Sequence, residues 1–250
     1  MGAIHVAVRV AYPECGDDDW SAALAAFVGV GCVEVAFYQP DLFLQVSTEQ
    51  VLAPFTDLPL RATSVHLAQA RSTEFDTFLR VLHRTMPIAQ ALGCSLIVAH
   101  PTNARLADVA AKIAGAVDPL LAQAGITLCW ETFAGRRRFL AGIAGIAAFC
   151  QQRTHHAACY DTAHLHQPPA EVLADIAAYA SLIRRFHLSN RSAQLGAQHL
   201  PLRYDADLDF AALVPAIARS GYAGPLVLEY LPQYHNQLAA DAQWVASLLG

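Results

Sequence analysis

The chain has 250 residues, 55% of them hydrophobic and 15% charged, which excludes a disordered segment, because disorder pairs low hydrophobicity with high charge. Sixteen Lys and Arg stand against 21 Asp and Glu, a net charge of −5, which disfavours nucleic acid as the main partner. The six cysteines (Cys15, Cys32, Cys94, Cys129, Cys150, Cys159) form no C-x-x-C or zinc-ribbon spacing and read as small buried thiols of a reducing, cytoplasmic compartment. The opening MGAIHVAVRV has no basic leader and no long apolar stretch, so no signal peptide is expected. No charge-free apolar run approaches about 18 residues, which removes a membrane-spanning helix from consideration.

In chain order, the first strand is expected at Ile4–Val10, followed by Asp17-Asp18-Asp19 as a loop and helix N-cap before Trp20. A second strand falls at Cys32–Phe37. Ser47-Thr-Glu-Gln50 is a capping box, in which the Ser and Gln side chains satisfy free backbone N–H groups. The third strand is Arg61–Leu67. A long amphipathic helix runs from Ser72 to about Leu92, with a kink expected at Pro87. The fourth strand, Ser95–His100, precedes an Ala-rich helix at Leu106–Ala124 that Gly125 stops. The fifth strand is Ile126–Glu131 and the sixth Ala157–Asp161, after which Pro168-Pro169 starts a helix. Strands at Ile183–Leu188 and Leu226–Tyr230 flank a helix at Leu208–Ser220.

Eight strands alternating with helices, about 30 residues apart, predict an α/β fold of the (β/α)8 TIM-barrel type, a single domain over residues 1–250. An open doubly wound sheet is the rival, but no G-x-G-x-x-G follows the first strand.

Strand side chains alternate between two faces. If the bulky aliphatic set packs outward against the helices, each strand sends one ionisable residue inward at or near its C-terminal end. These are Arg9, Glu34, His66, His100, Glu131, Asp161, His187 and Glu229. Barrel enzymes build their sites on that face. Glu34, Glu131, Asp161 and Glu229 would repel one another at close range, and a divalent cation removes the repulsion. Trp130, Phe186 and Tyr230 fall outward as packing residues, Trp20 and Trp244 read as helix–barrel packing, and His155 and His156 are expected to be solvated at the barrel bottom.

The motifs SVHLAQA (64–70), IVAHP (97–101), LCWETFAG (128–135), YDTAHLH (160–166), FHLSN (186–190) and GYAGPLVLEY (221–230) follow one another on strands three to eight. Together, over nearly the full length, the chain resembles the xylose isomerase-like TIM barrels, the superfamily of sugar isomerases, sugar epimerases and endonuclease IV-related enzymes. The resemblance implies that Glu131, Asp161, His187 and Glu229 bind one divalent ion. Such an oxygen-rich set suits Mn2+, Mg2+ or Co2+, with Zn2+ also open.

The resemblance further implies proton exchange by Glu131 and Glu229 as base and acid at a carbon next to a carbonyl, with a hydride shift as the rival. It sets His164 against a substrate hydroxyl, with His66 and His100 on the opposite wall. In the endonuclease branch, His66 and His100 match ligands of another zinc, and His164 and His199 match two ligands of a third. The carboxylate expected two residues before His199 is Ala197, so an incomplete third site is expected. One ion is expected, with room for a second at His66 and His100.

Arg136-Arg137-Arg138, just past Glu131, together with Arg191 and Arg9, are candidates for clamping a phosphate or carboxylate. Glu34 completes the candidate substrate-binding set. The expected function is a metal-dependent isomerase or epimerase of a sugar or sugar-like small molecule. The alternatives are a metal-dependent hydrolase on the same barrel and a non-catalytic ligand-binding barrel. A homo-oligomer is left open.

Overall fold

A computed structural model describes residues 4–13, 19–69, 75–101, 106–134 and 140–250. Eight parallel strands close into a barrel: β1 (His5–Ala11), β2 (Cys32–Ala36), β3 (Arg61–His66), β4 (Leu96–Ala99), β5 (Thr127–Glu131), β6 (His156–Asp161), β7 (Ile183–Leu188) and β10 (Pro225–Leu228), with β10 returning to pair β1. Two further strands, β8 (Asn190–Ser192) and β9 (Ala197–Leu200), form an antiparallel hairpin above the barrel directly after β7. The sequence pattern did not reveal this hairpin, because both strands are short and polar.

The alternation argument separates the two faces as expected. Val6, Val8 and Val10 of β1, Leu128 and Trp130 of β5, and Phe186 and Leu188 of β7 merge with the helices into one apolar layer. The inward residues Val98, Cys129, Ala157 and Cys159 form a separate small cluster inside the barrel. Register shifts at Val33/Glu34 and at Ala158/Cys159 adjust the pleat next to two inward charged positions.

Helix starts follow local chemistry. Asp19 caps α1 (Trp20–Ala25), accepting from the Ser21 and Ala22 amides at 2.8 and 3.2 Å; Asp17 and Asp18 lie outside the described residues. Ser47 and Gln50 form the reciprocal capping box of a helix at Thr48–Asp57. The long amphipathic helix spans Phe75–Ala91 with Pro87 inside it. The Ala-rich segment is helical from Leu106 to Ala124, interrupted by a π-helical stretch at Ile113–Val117, and ends on Gly125 at φ 64°. The sequence offered no sign of the π stretch.

The barrel bottom corrects one expectation. His156 is 5% exposed rather than solvated. Its Nδ1 accepts from Trp130 Nε1 at 2.9 Å, so Nε2 carries the proton and meets Asp118 Oδ1 at 2.8 Å. Burial lowers its pKa against the opposing pull of Asp118. Among the described residues, five cysteines are free and no helix is long and apolar enough to cross a membrane. Burial pushes the thiols of Cys94, Cys129 and Cys150 up to about 12, so they are inert apolar fillers rather than nucleophiles.

Candidate metal centre

Barrel closure brings the strand ends to one mouth. His66, Glu131 and Asp161 are the last residues of β3, β5 and β6, His100 and Glu229 follow β4 and β10 directly, and His187 lies one residue inside the end of β7. Among the described residues, three groups of side chains there have ligand atoms within 4.8 Å of one another: Glu131, Asp161, His187 and Glu229; His66, His100 and Glu131; and Asp161, His164 and His199. The first is the set that the resemblance implied. The third brings Asp161, His164 and His199 together, with Ala197 supplying no carboxylate to it.

Each ligand is aimed by its surroundings. Asp161 Oδ1 accepts from the Ala163 and His164 amides at 2.6 and 3.1 Å, which leaves Oδ2 facing the mouth. His187 Nδ1 lies 3.0 Å from Glu229 Oε2, 3.6 Å from Glu131 Oε2 and 3.9 Å from Asp161 Oδ2. Glu131 is shared among the histidines. Its Oε2 is 3.0 Å from both His66 Nε2 and His100 Nε2, and its Oε1 is 2.8 Å from His164 Nδ1. His199 sits on β9 with φ 55°, a backbone conformation uncommon outside glycine. Ser189 Oγ lies 3.2 Å from its Nδ1, and its Nε2 faces His164 Nε2 at 3.0 Å.

The donor chemistry fits a cation. Among the described residues, Glu131 Oε1, Asp161 Oδ2, His187 Nδ1, Glu229 Oε2, His100 Nε2 and His164 Nδ1 are buried without a well-formed hydrogen bond. Orphaned polar atoms are costly singly, and here they converge. His66 makes the point sharpest. Its Nδ1 lies 3.0 Å from the Leu67 carbonyl, which can only accept, so the proton sits there and the Nε2 lone pair faces a carboxylate oxygen. Burial, followed by the charge of Arg9, lowers the His66 pKa to about 4. Two electron pairs opposed at 3.0 Å call for a cation between them.

Burial raises the Asp161 carboxyl from its ordinary value. Burial opposes ionisation of Glu131 and Glu229 too, but His100 and His164 hold Glu131 down, and Arg9 and His187 hold Glu229 down. Burial disfavours the His164 cation, yet Asp161, Glu131 and Glu229 outweigh it and raise its pKa to about 9.

The remaining candidates divide. Arg9 is buried, paired with Glu229, with its guanidinium 5.3 Å from the centre of the Tyr38 ring. Arg191 corrects the anion-binding expectation: it is 2% exposed, and its guanidinium donates to the Thr162 and Gln167 carbonyls. It braces the loop after β6 instead of facing a substrate. Glu34 also departs from a substrate contact. It is 0% exposed, accepts from Ser64 Oγ at 2.5 Å, and lies 2.9 Å from His187 Nε2. Burial would raise its carboxyl, but His187 and then Arg185 hold it at about 2. Arg136, Arg137 and Arg138 lie outside the described residues.

Ser64, Arg185 and Ser189 were not singled out from sequence. Ser64 and Arg185 share the inward files of His66 and His187, two residues deeper, so the same alternation rule would have found them. Phe133, stacked on His164 with ring centres 3.9 Å apart, forms an apolar wall beside the histidines.

A closed (β/α)8 barrel whose strand ends gather carboxylates and imidazoles defines a class of barrel with a candidate cation site at its C-terminal face. A family model described as xylose isomerase-like TIM barrel matches residues 22–248, and the chain belongs to that family. The fold is shared with a 3-keto-D-glucoside 4-epimerase from E. coli (TM-score 0.73, 14% identity, covering 99% of this chain and 100% of that one). It is shared with a D-allulose 3-epimerase from Methylomonas sp. (0.71, 16%, 100% and 99%). A xylose isomerase-like TIM barrel protein from Mycobacterium smegmatis, solved in complex with magnesium, is similar to the same degree (0.71, 16%, 98% and 96%). No curated protein matches at the sequence level.

Proposed function

We propose that the chain, as one domain, is a divalent-metal-dependent isomerase or epimerase of a sugar or sugar-like small molecule, acting by enediolate-type proton transfer. The observation that carries this reading is the convergence of Glu131, Asp161, His187 and Glu229, with buried orphaned atoms on all four. The names of the similar epimerases support the substrate class. Glu131, Asp161, His187 and Glu229 would hold the ion, Mn2+, Mg2+, Co2+ or Zn2+. When bound, it supplies Lewis-acid polarisation of a carbonyl and its neighbouring hydroxyl.

In this reading Glu229 and Glu131 move the proton. Arg9 keeps Glu229 ionised and therefore basic-form at neutral pH. His100 holds Glu131 from one side and His164 from the other, so its carboxylate has one orientation. In this reading His164 and His199, whose Nε2 atoms face each other at 3.0 Å, would turn to substrate hydroxyls, and Phe133, stacked on His164, would cover the apolar face of a sugar ring. Arg9 and Arg136 are the remaining candidates for an anionic group on the substrate.

A second reading has a specific observation in its favour. Three ligand groups rather than one suit a hydrolase that activates water between two or three ions. Elemental analysis of the purified protein separates the two: one ion per chain supports the isomerase or epimerase, two or three the hydrolase. A screen with ketoses, their phosphates and an abasic oligonucleotide then tests the substrate class. Equal turnover of neutral sugars and their phosphates removes the anionic preference.

A further inference from the structure

We propose that Glu34 is a positioning residue that fixes His187 from beneath the metal centre, through a polar column running down the barrel axis. The inference rests on the metal-dependent reading above.

His187 has two edges with different surroundings. Its Nδ1 faces Glu131, Asp161 and Glu229, and its Nε2 lies 2.9 Å from Glu34 Oε1. An imidazole that gives one nitrogen to a metal must carry its proton on the other. A carboxylate acceptor at that second nitrogen selects the productive tautomer, stops ring rotation and raises ligand basicity. Glu34 Oε1 and His187 Nε2 are both buried without a well-formed hydrogen bond, and their 2.9 Å contact is a close ion pair. The Cys159 thiol also borders His187, but sulfur is a weak acceptor.

Glu34 is itself held from below. Ser64 Oγ donates to its Oε2 at 2.5 Å, and Arg185 Nε lies 3.9 Å from the same oxygen. Arg185 is anchored in turn, donating to Thr63 Oγ1 at 3.2 Å and to the Thr63 carbonyl at 2.8 Å. A carboxylate so deep in a barrel is costly unless it is paired. Arg185 and His187 pair it from two sides. With Glu34 wholly buried and on the far edge of the His187 ring from the ligand cluster, no substrate reaches it. Its work is carried through His187.

The test uses the full chain stripped with a chelator and titrated with Zn2+ against a chromophoric competitor. Wild type, Glu34→Gln and Ser64→Ala are compared, followed by Co2+ loading to saturation. Glu34→Gln is expected to weaken Zn2+ binding about 10–100-fold and to shift the visible bands of the Co2+ form. A purely structural defect would lower occupancy without moving bands at saturation. Ser64→Ala, which keeps both ion pairs, is expected to weaken binding less, and it carries the same readouts if Glu34→Gln does not fold. Unchanged affinities with superimposed Co2+ spectra overturn the positioning role and leave the metal reading standing. A wild-type chain that takes up no ion overturns both.

Discussion

At the residue scale, the ionisable cluster forces definite outcomes. Glu229 is paired with Arg9 and faces His187. Replacing it as Glu229→Gln keeps a hydrogen-bond acceptor for Arg9 but removes the proton acceptor. Turnover is expected to fall by about 10²–10⁴-fold, while the circular-dichroism spectrum at room temperature keeps the shape of the folded wild type. Turnover at the wild-type level would remove Glu229 from the proton path. His164 gives a pH dependence of known sign. Its pKa is raised to about 9 although burial opposes this, so below that pH the metal-free ring is mostly protonated. A proton must leave before either nitrogen can ligate. Metal uptake at Asp161, His164 and His199 should therefore release a proton and weaken as pH falls below about 9. Calorimetric titrations in buffers of different ionisation heat read that proton directly. Affinity that is flat from pH 6 to 9 contradicts it. The same raised pKa stabilises the metal-free fold below the unfolded His value, and that contribution disappears as pH rises through about 9.

At the element scale, the β8–β9 hairpin decides whether the third ligand group exists. Asn190 clamps it. Its Nδ2 donates to the carbonyls of Leu202, Tyr204 and Leu208 at 3.2, 3.2 and 3.0 Å, and its Oδ1 accepts from the Arg191 and Leu208 amides. Asn190→Ala leaves buried carbonyls without donors, at about 1–3 kcal/mol for an orphaned group. It should lower the melting temperature and release any ion at His199 before the ion held by Glu131 and Glu229. Metal analysis after mild chelation checks this order, and loss of all ions together would mean that the hairpin has no independent role. Tyr230 performs the matching task beyond β10. Its hydroxyl donates to Asp241 at 2.7 Å and accepts from the Leu202 amide, while Asp241 also receives Arg203 Nε at 2.7 Å. The helix Leu238–Leu248 is thereby tied to the segment that follows the hairpin, next to Glu229.

At the scale of the whole molecule, the site is a liability that a bound ion would convert into stability. Carboxylates gathered at one buried mouth repel each other without a cation. An ion present at a hundredfold excess over its dissociation constant stabilises the native state by about 2.7 kcal/mol, roughly 5–10 °C for a chain of this size. Scanning calorimetry with and without chelator should show that gap, and identical melts would count against a resident ion in the barrel mouth.

The barrel and most of the mouth were legible in the chain itself, because strand alternation is a local property. Two residues fixed by a peptide link must point to opposite faces, so Glu131, Asp161 and His187 could be assigned inward from their apolar neighbours alone. The same rule, taken two residues deeper, reaches Ser64 and Arg185. What alternation cannot give is distance. That Glu34 meets His187 rather than a substrate, that Arg191 turns into a loop instead of the mouth, and that His199 joins Asp161 and His164 depend on barrel closure, two register shifts and a hairpin of polar residues. Each of these sets which strands lie across from one another, and hydrophobic periodicity within a single strand holds no record of its neighbours.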